Sequence, residues 1–462
     1  MSPNSTSSRV KNHNKYEETN GKTQSTFKQL AEKKFVTRNS LIIDLCDNIP
    51  HIAAIQNLFT ATIICLFTSI LANDYLVTGQ ISFGYHLILI SFGKFHLAIF
   101  FWTIFFLTTC LVHTIFKIWA EIRIKLIPNN KFVQMWDRVW LVILVSFYIL
   151  AYRISSSLTV IYDMPIASSS IILLEQTRLL MKIHSYIRHN AEKIIKYKPH
   201  SDQNLEYPKF KNYLYFLFAP TLIYRDEYPR TTKIRWGFVG IRLIEIFGVI
   251  VYQCFIFHRF LLPPYREFGL RKYSWAEVII PILENSICGL LVLMSGWYQV
   301  LHSVQNLFAE LLRFGDRQFY MDWWNCTGIA DYFRVWNIVV HDWLYTYIYR
   351  DIYNLSSGNK FMAKLMVFIT SAVVHEWIIS YQVKFFYPVV FYCYMAAVCL
   401  SVFNVPKVRW INILFWYGMA FGSGSILSLY VLEHYARTNN PDTEYSIKYW
   451  FLPRWYLCDC IV

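Results

Sequence analysis

The sequence predicts an all-α, polytopic membrane protein, and two observations lead to that class. Of its 462 residues, 55% are hydrophobic and only 16% are charged, whereas an average soluble domain carries about 25% charged residues. Several apolar tracts also approach the roughly 20 residues that a helix needs to cross a bilayer. We count eight to ten such spans along the chain.

The first 38 residues differ from the rest of the chain. They are rich in Ser, Thr, Asn and Lys, and they carry eight Lys or Arg residues against three Glu. Such a segment buries too little apolar surface to fold, and basic residues next to a span favour the cytosolic side. We therefore predict a disordered, basic, cytosolic arm over residues 1–38 and a membrane-embedded domain over residues 39–462.

The predicted spans follow this arm, after an amphipathic approach to the membrane and with an interruption at Gly79 and Gly84. The apolar tracts are Leu58–Ala72, His96–Trp119, Val139–Tyr152, Phe238–Phe260, Val278–Trp297, Phe361–Tyr381, Phe386–Phe403 and Ile411–Val431. The last tract contains Gly418, Gly422 and Gly424, which are small enough to permit close helix contact. Arg242 and Glu245, inside the fourth tract, are spaced to pair on one helical face.

Two further segments do not look like simple spans. Ala167–Ile195 interleaves apolar with charged residues, which is typical of a helix at the interface or one packed against other helices. Tyr213–Tyr224 is too short to cross a bilayer and is better interpreted as a re-entrant or interfacial segment.

The net charge of +14 does not indicate nucleic-acid binding here. The basic residues flank apolar spans, a pattern that suits anionic lipid headgroups and is compatible with an anionic substrate such as coenzyme A. The ten cysteines form no CxxC or Cys/His zinc spacing, so we expect no metal site. Cys458 and Cys460 are either bridged or free.

His375 is the first candidate for chemistry. It follows the apolar run Met366–Val374, and Ser371 lies one helical turn earlier on the same face. A histidine at that depth can remain neutral and act as a general base. The alternative is a structural histidine bonded to a neighbouring helix.

A second candidate is a polar stripe. Arg334, Asn337 and His341 are spaced i, i+3 and i+7, which would place them on one helical face, with Tyr349 close to it two turns later. These groups suit a ligand with phosphates, amides and a thioester. Alternatively, the stripe satisfies a helix contact. Lys360 and Lys364 lie at the start of the His375 tract.

Other catalytic classes lack support. His375-Glu376 is not an HExxH zinc motif, because position 379 is Ile. The chain has no Walker loop, no GxGxxG and no GxSxG nucleophile elbow. We therefore expect neither a metal, nor a bound cofactor, nor a serine nucleophile.

An aromatic cluster lies between two apolar tracts and reads Phe319, Tyr320, Met321, Asp322, Trp323, Trp324 and Asn325. It matches the FYxDWWN motif in the branch of the membrane-bound O-acyltransferases that contains the sterol and diacylglycerol enzymes. The chain resembles this family over nearly its whole length after Phe35, including Glu175–Arg178 and Tyr213–Arg230. Several details, including the segment that ends at Asp226, look like the sterol enzymes.

The resemblance implies a fold of about nine spans with a buried catalytic chamber, in a homo-oligomer (dimer or tetramer) of the endoplasmic reticulum membrane. It implies long-chain acyl-CoA entering from the cytosol and a sterol from the bilayer. His375 matches the catalytic histidine and Asn337 the asparagine paired with it. The positions matching the acyl-CoA tunnel are Asp331, Arg334, Asn337, His341, Tyr349, Lys360 and Ser371.

Three functions follow as expectations. The first is acyl-CoA-dependent esterification of a sterol, with His375 as general base and acyl-CoA as a co-substrate. The second keeps this chemistry but uses diacylglycerol or another lipid alcohol, and the third is non-enzymatic lipid or sterol transport. We interpret the aromatic cluster as a fold-defining, CoA-side element and His51, near the first span, as a candidate for a sterol contact.

Overall fold

The structure is a computed structural model, and it describes residues 32–81, 84–127, 129–197, 206–401, 403, 405–441, 450–458, 460 and 461. Within these ranges the chain is helical, with isolated β-bridges in place of strands. Residues 33–462 belong to one compact unit. Most of the predicted arm, residues 1–31, lies outside the described residues.

The helices follow one another along the chain, with the longer irregular connections before α8 and α11. In the first half they are α1 Leu41–Asn48, α2 Pro50–Thr78, α3 Tyr85–Ser91, α4 Phe95–Leu126, α5 Asn130–Ile161, α6 Ile166–Lys196 and α7 Phe210–Phe218. In the second half they are α8 Trp236–Ile256, α9 Trp275–Trp297, α10 Gln305–Leu311, α11 Ile329–Val335, α12 Ile338–Leu344, α13 Arg350–Leu355, α14 Lys360–Val383, α15 Val389–Leu400 and α16 Arg409–Asn439.

Seven helical segments in the described part of the chain are long and apolar enough to cross a membrane. They are Pro50–Thr78, Phe95–Leu126, Lys131–Ile161, Trp236–Leu261, Trp275–Leu311, Lys360–Val383 and Arg409–Asn439. The all-α, multi-pass class is confirmed, whereas the count of nine is not. The predicted tract Phe386–Phe403 folds as α15, which is apolar but has only 12 residues.

The two unusual segments fold as their composition indicates. Helix α6 packs against α4 and α5, which is the second of the two predicted alternatives. It buries Leu179, Ile183 and also the charged residue Lys182. The segment Tyr213–Tyr224 begins inside the nine-residue helix α7, which ends at Phe218, and continues as an irregular loop. A left-handed Gly79 (φ 70°) ends α2, because glycine adopts that conformation without a Cβ clash.

Buried Lys182 holds the loop that follows α7. Its side chain is 1% exposed, and its ammonium donates to the carbonyl oxygens of Phe216 (2.6 Å), Leu217 (3.0 Å) and Ala219 (2.7 Å). Three acceptors match the three N–H bonds of an ammonium. The cation thus satisfies carbonyls at the end of α7 that the helix leaves without partners.

Residues 33–38, which we predicted as part of the disordered arm, instead pack on the folded unit. Arg38 makes a two-point contact with Asp316, at 2.7 and 3.1 Å, and its backbone pairs with Gly315 and Arg317. Lys33 Nζ lies 2.8 Å from Asp342. The folded unit therefore begins before the predicted boundary.

One of the three glycines predicted to permit helix contact does so. A Cβ on Gly424 would lie 2.5 Å from the Asn285 carbonyl oxygen, and one on Gly289 would lie 2.2 Å from the Gly424 nitrogen. Helices α9 and α16 therefore cross where both lack side chains. Gly418 and Gly422 have no neighbouring atom within 4 Å of an added Cβ, so for them the prediction is wrong.

A chain of buried polar contacts connects α8, the π-helical segment Tyr298–Val304 that follows α9, and the aromatic cluster. Tyr320 OH lies 2.7 Å from Ser40 Oγ and 2.6 Å from His302 Nδ1, and His302 Nε2 lies 2.5 Å from Arg242. Arg242 pairs with Glu245 at 2.9 Å, which confirms the predicted pairing. The network satisfies polar groups that would be costly to bury alone.

The C-terminal residues pack beside the loop before α9. Cys458 and Cys460, whose state the sequence left open, are joined by a disulfide. The Cys460 carbonyl accepts a hydrogen bond from the Tyr273 N–H at 2.8 Å, so this end of the chain is tied to the folded unit.

Candidate active site

The side chains of the aromatic cluster pack into a buried hydrophobic core. Phe319, Tyr320 and Trp323 are each no more than 5% exposed. Trp323 packs against the indole rings of Trp297 and Trp416, with centroids 4.5 and 5.5 Å apart. The prediction that this motif defines the fold fits its burial, and its predicted CoA-side role stays a prediction.

The same motif fixes the position of Asn337. The Ile338 N–H donates to the Phe319 carbonyl, and the Met321 N–H donates to the Val335 carbonyl, both at 2.9 Å. These two bonds bracket the junction between α11 and α12, where Asn337 is the N-cap. Its Oδ1 accepts from the Val340 N–H at 3.1 Å, as in other asparagine caps.

The predicted single helical stripe is therefore wrong in its geometry. Arg334 lies in α11, whereas His341 lies in α12, and Asn337 between them has extended backbone angles (φ −138°, ψ 88°). The periodicity of the residues did not reveal the break because no Pro or Gly marks it. Bonds from the aromatic cluster produce it instead.

His375 occupies the centre of α14. Its Nδ1 lies 2.7 Å from the carbonyl oxygen of Ser371 and 3.5 Å from the Ser371 hydroxyl. A carbonyl oxygen only accepts, so the shorter contact places the proton of the neutral ring on Nδ1. Nε2 is then left with a lone pair, and His375 is exposed in the structure.

Glu376, the next residue, is 4% exposed and anchors α15. Its Oε2 accepts from the Phe391 N–H at 3.1 Å, and its Oε1 lies 3.4 Å from the hydroxyl groups of both Ser380 and Tyr430. A carboxylate at a helix N-terminus is favourable. The residue beside His375 thus ties α14 to α15 and α16.

Tyr394 of α15 completes the surroundings of His375. Its hydroxyl oxygen lies 3.3 Å from His375 Nε2, and Phe333 of α11 packs against its ring at 5.6 Å. We did not single out Tyr394 from the sequence. No signal there distinguishes it, because the same tract, Phe386–Phe403, also contains Tyr387 and Tyr392.

A ladder of nearly parallel rings lies along one continuous helical rod, which consists of α12, the π-helical turn after it and α13. The ladder consists of His341, Tyr345, Tyr349 and Tyr353, whose planes differ by 12–14° from ring to ring. The π-helical turn Tyr345–Tyr349 is wider than an α-turn, which brings residues four apart nearly into line. This turn packs against α14, so predicted residues His341 and Tyr349 lie on a rod beside the His375 helix.

Asp342 links this rod to the start of the folded unit. It contacts Lys33 and lies 3.6 Å from His341 Nδ1. Burial opposes its ionisation, but the hydrogen bond to His341 and the positive charge of Lys33 outweigh burial and leave the pKa of Asp342 below its ordinary value. Asp342 thus remains charged beside His341, the first ring of the ladder.

Of the remaining predicted positions, Arg334, Lys360 and His51 are exposed and Asp331 is half-buried. Asp331 forms an ion pair with Arg334 and lies 3.8 Å from Lys407, while Lys360 is exposed in the first turn of α14. Their predicted contacts with acyl-CoA stay predictions. His51 is exposed at the start of α2, and its contact with a sterol stays a prediction as well.

Two cavities flank the aromatic cluster. One of about 470 Å³ is lined by residues of the motif, including Tyr320, Asp322 and Asn325, and by Arg38. The other, lined by Phe319 and Asp342, has a volume of about 20 Å³, enough for about one water molecule. His375 lines neither cavity. Within the described residues, no group of three or more His, Cys, Asp or Glu side chains is placed to hold a metal.

Residues 87–432 match the model of the membrane-bound O-acyltransferase family, MBOAT. This match covers well over half of the chain, and the chain belongs to that family. The family predicted from the aromatic cluster is therefore confirmed, and the protein is an acyltransferase with several membrane-spanning helices.

Individual relatives are similar over most of the chain. Sterol O-acyltransferase 1 of Mus musculus is 36% identical over 432 residues, covering 92% of this chain and 79% of that protein. Sterol O-acyltransferase 2 of Mus musculus is 36% identical over 432 residues, with coverage of 92% and 81%. Sterol O-acyltransferase 2 of Homo sapiens is 33% identical over 436 residues, with coverage of 92% and 80%.

Proposed function

We propose that the protein transfers a long-chain acyl group from acyl-CoA to the 3-hydroxyl of a sterol, with His375 as general base. The contact of His375 Nδ1 with the Ser371 carbonyl carries the proposal, since it leaves the lone pair of Nε2, which faces the Tyr394 hydroxyl, to act as the base. The names of the relatives support a sterol as the acceptor.

The reaction needs one proton carrier. The sterol hydroxyl gives its proton to His375 Nε2 while its oxygen attacks the thioester carbonyl carbon. A C–O bond forms, the tetrahedral intermediate collapses with cleavage of the C–S bond, and Nε2 gives the proton to the departing sulfur of CoA. General base catalysis of this kind is worth roughly 10²–10⁴-fold.

Asn337 supplies the hydrogen-bond donor in this proposal. Because its Oδ1 is occupied by the Val340 N–H, its amide NH₂ is the part that can donate to the developing oxyanion. One such donor contributes about 10²–10³-fold. Acyl-CoA would lie along Asp331, Arg334, His341, Tyr349, Lys360 and Ser371, with no bound cofactor.

The decisive experiment measures ester formation and CoA thiol release by the purified protein given labelled oleoyl-CoA and cholesterol. His375→Ala is expected to lower both by at least about 10²-fold with an unchanged melting temperature. His434→Ala is the matched control, since His434 is an exposed histidine on another span, α16. Normal activity in His375→Ala would end the proposal.

The same assay separates the alternatives. Preference for diacylglycerol in competition with cholesterol would keep the chemistry and change the acceptor. Sterol movement between vesicles without thiol release would instead indicate a transporter.

The cellular setting belongs to the same proposal. We place the enzyme in the endoplasmic reticulum membrane, as a dimer or tetramer with a cytosolic N-terminus. Protease treatment of intact microsomes should remove an N-terminal tag, and light scattering of the purified protein should give the mass of two or four chains. A protected tag or a monomer mass would contradict these statements.

A further inference from the structure

Tyr394 is a polar residue for which the mechanism above has no role. We propose that its hydroxyl binds the acceptor alcohol and positions it against Nε2 of His375. The phenol oxygen already lies 3.3 Å from that nitrogen, and the two ring centroids are 5.1 Å apart. The inference rests on the proposed function, because it requires His375 to be the base.

The direction of the hydrogen bond between Tyr394 and His375 follows from the contact that the imidazole makes through its other nitrogen, Nδ1. Nδ1 carries the proton because it faces the Ser371 carbonyl, so Nε2 accepts and the Tyr394 hydroxyl donates. Nε2 has one lone pair. An alcohol that is to be deprotonated must take the place of the phenol on that lone pair.

The displaced phenol finds a new partner in the alcohol itself. An acceptor oxygen within hydrogen-bond distance of Nε2 lies next to a hydroxyl 3.3 Å from the same atom. Tyr394 can then donate to one lone pair of that oxygen, while the alcohol proton points to Nε2 and the other lone pair attacks the thioester. Neither Tyr394 nor His375 is left without a hydrogen-bond partner in this exchange.

The helix that presents Tyr394 is fixed by the neighbour of the base. Glu376 accepts from the Phe391 N–H at 3.1 Å, one turn before Tyr394 in α15. Phe333 also packs against the phenol ring. The spacing between His375 and Tyr394 is thus set by two independent contacts, as positioning of a reacting group requires.

The test is Tyr394→Phe, which removes only the hydroxyl, assayed with oleoyl-CoA and cholesterol. We expect kcat/KM for cholesterol to fall about fivefold to tenfold, while KM for oleoyl-CoA stays within twofold of wild type. A merely structural role would lower the melting temperature and affect both substrates alike. Tyr392→Phe is the matched control, because Tyr392 lies on the same helix and is 66% exposed.

Kinetic constants of Tyr394→Phe within twofold of wild type for both substrates would overturn the inference. If His375→Ala is inactive at the same time, the proposed function stands and only the role of Tyr394 fails. Activity in His375→Ala would instead remove the proposed function. Should Tyr394→Phe not be recovered folded, Tyr394→Gln should form ester at least about threefold faster than Tyr394→Leu, because only Gln can donate; equal rates would overturn the inference.

Discussion

Nδ1 of His375 lies 2.7 Å from the carbonyl oxygen of Ser371, one turn earlier in the same helix. This contact orients the imidazole through the backbone of its own helix, so the ring does not depend on a neighbouring side chain for its tautomer. Nε2 consequently faces Tyr394 on α15. In the proposed mechanism, a general base is thus held ready by the helix that carries it.

A substitution of Ser371 distinguishes the role of its backbone carbonyl from the role of its hydroxyl. Ser371→Ala keeps the carbonyl, so we expect kcat to stay within about threefold of wild type. If Ser371 lines the acyl-CoA tunnel as proposed, KM for oleoyl-CoA should rise. Steady-state kinetics with each substrate varied in turn measures both. A loss of kcat as large as in His375→Ala would show that the hydroxyl, not the carbonyl, orients the ring.

Replacing Asn337 separates its capping role from its proposed catalytic role. Aspartate is an equally good N-cap, so Asn337→Asp should retain the melting temperature while kcat falls about 10²–10³-fold, since the amide donor is lost. Asn337→Ala should lose activity and, in addition, about 1 kcal/mol of stability. Thermal melting and ester formation measured on both variants check this. An active Asn337→Asp would remove the donor role.

The crossing of α9 and α16 gives a prediction on stability. Gly424→Ala should lower the melting temperature in detergent, because its Cβ would lie 2.5 Å from the Asn285 carbonyl oxygen and overpacking costs about 1–3 kcal/mol. Gly422→Ala, in the same helix but with no atom within 4 Å of the added Cβ, is the control and should melt at or slightly above the wild-type temperature, since alanine favours a helix over glycine. Equal melting temperatures would contradict the crossing.

The contact of Lys33 with Asp342 gives a prediction that depends on pH. Lys33→Met should destabilise the protein by about 1 kcal/mol at neutral pH, because it leaves a partly buried carboxylate without its cation. Since the pKa of Asp342 is lowered, the stabilisation is present above the ordinary aspartate pKa. It should disappear as the pH falls through the lowered value, where Asp342 becomes protonated.

Denaturation of wild type and Lys33→Met across this acidic range measures the difference. Lys34→Met removes an exposed neighbouring cation and serves as the control. A constant difference between wild type and Lys33→Met at every pH would contradict an electrostatic origin.

Much of the fold could be predicted because it depends on local composition. Apolar runs of sufficient length form helices that cross the membrane, and the tract with His375 folded as α14 with Ser371 in contact with His375. Arg242 and Glu245 paired as their helical spacing indicates. The prediction failed where hydrogen bonds from another segment change the backbone, as at Asn337, where the predicted single helix is two helices.

Residue types along single stretches of the chain were enough to predict the membrane class, the family through its aromatic motif, and His375 as the candidate base. The packing of the helices in three dimensions, by contrast, determines that Gly424 and not Gly422 meets another helix. It alone placed Lys33 on Asp342 and Tyr394 on His375. These contacts join residues far apart or on different helices, and their pairing depends on how the helices pack, which helical periodicity does not encode.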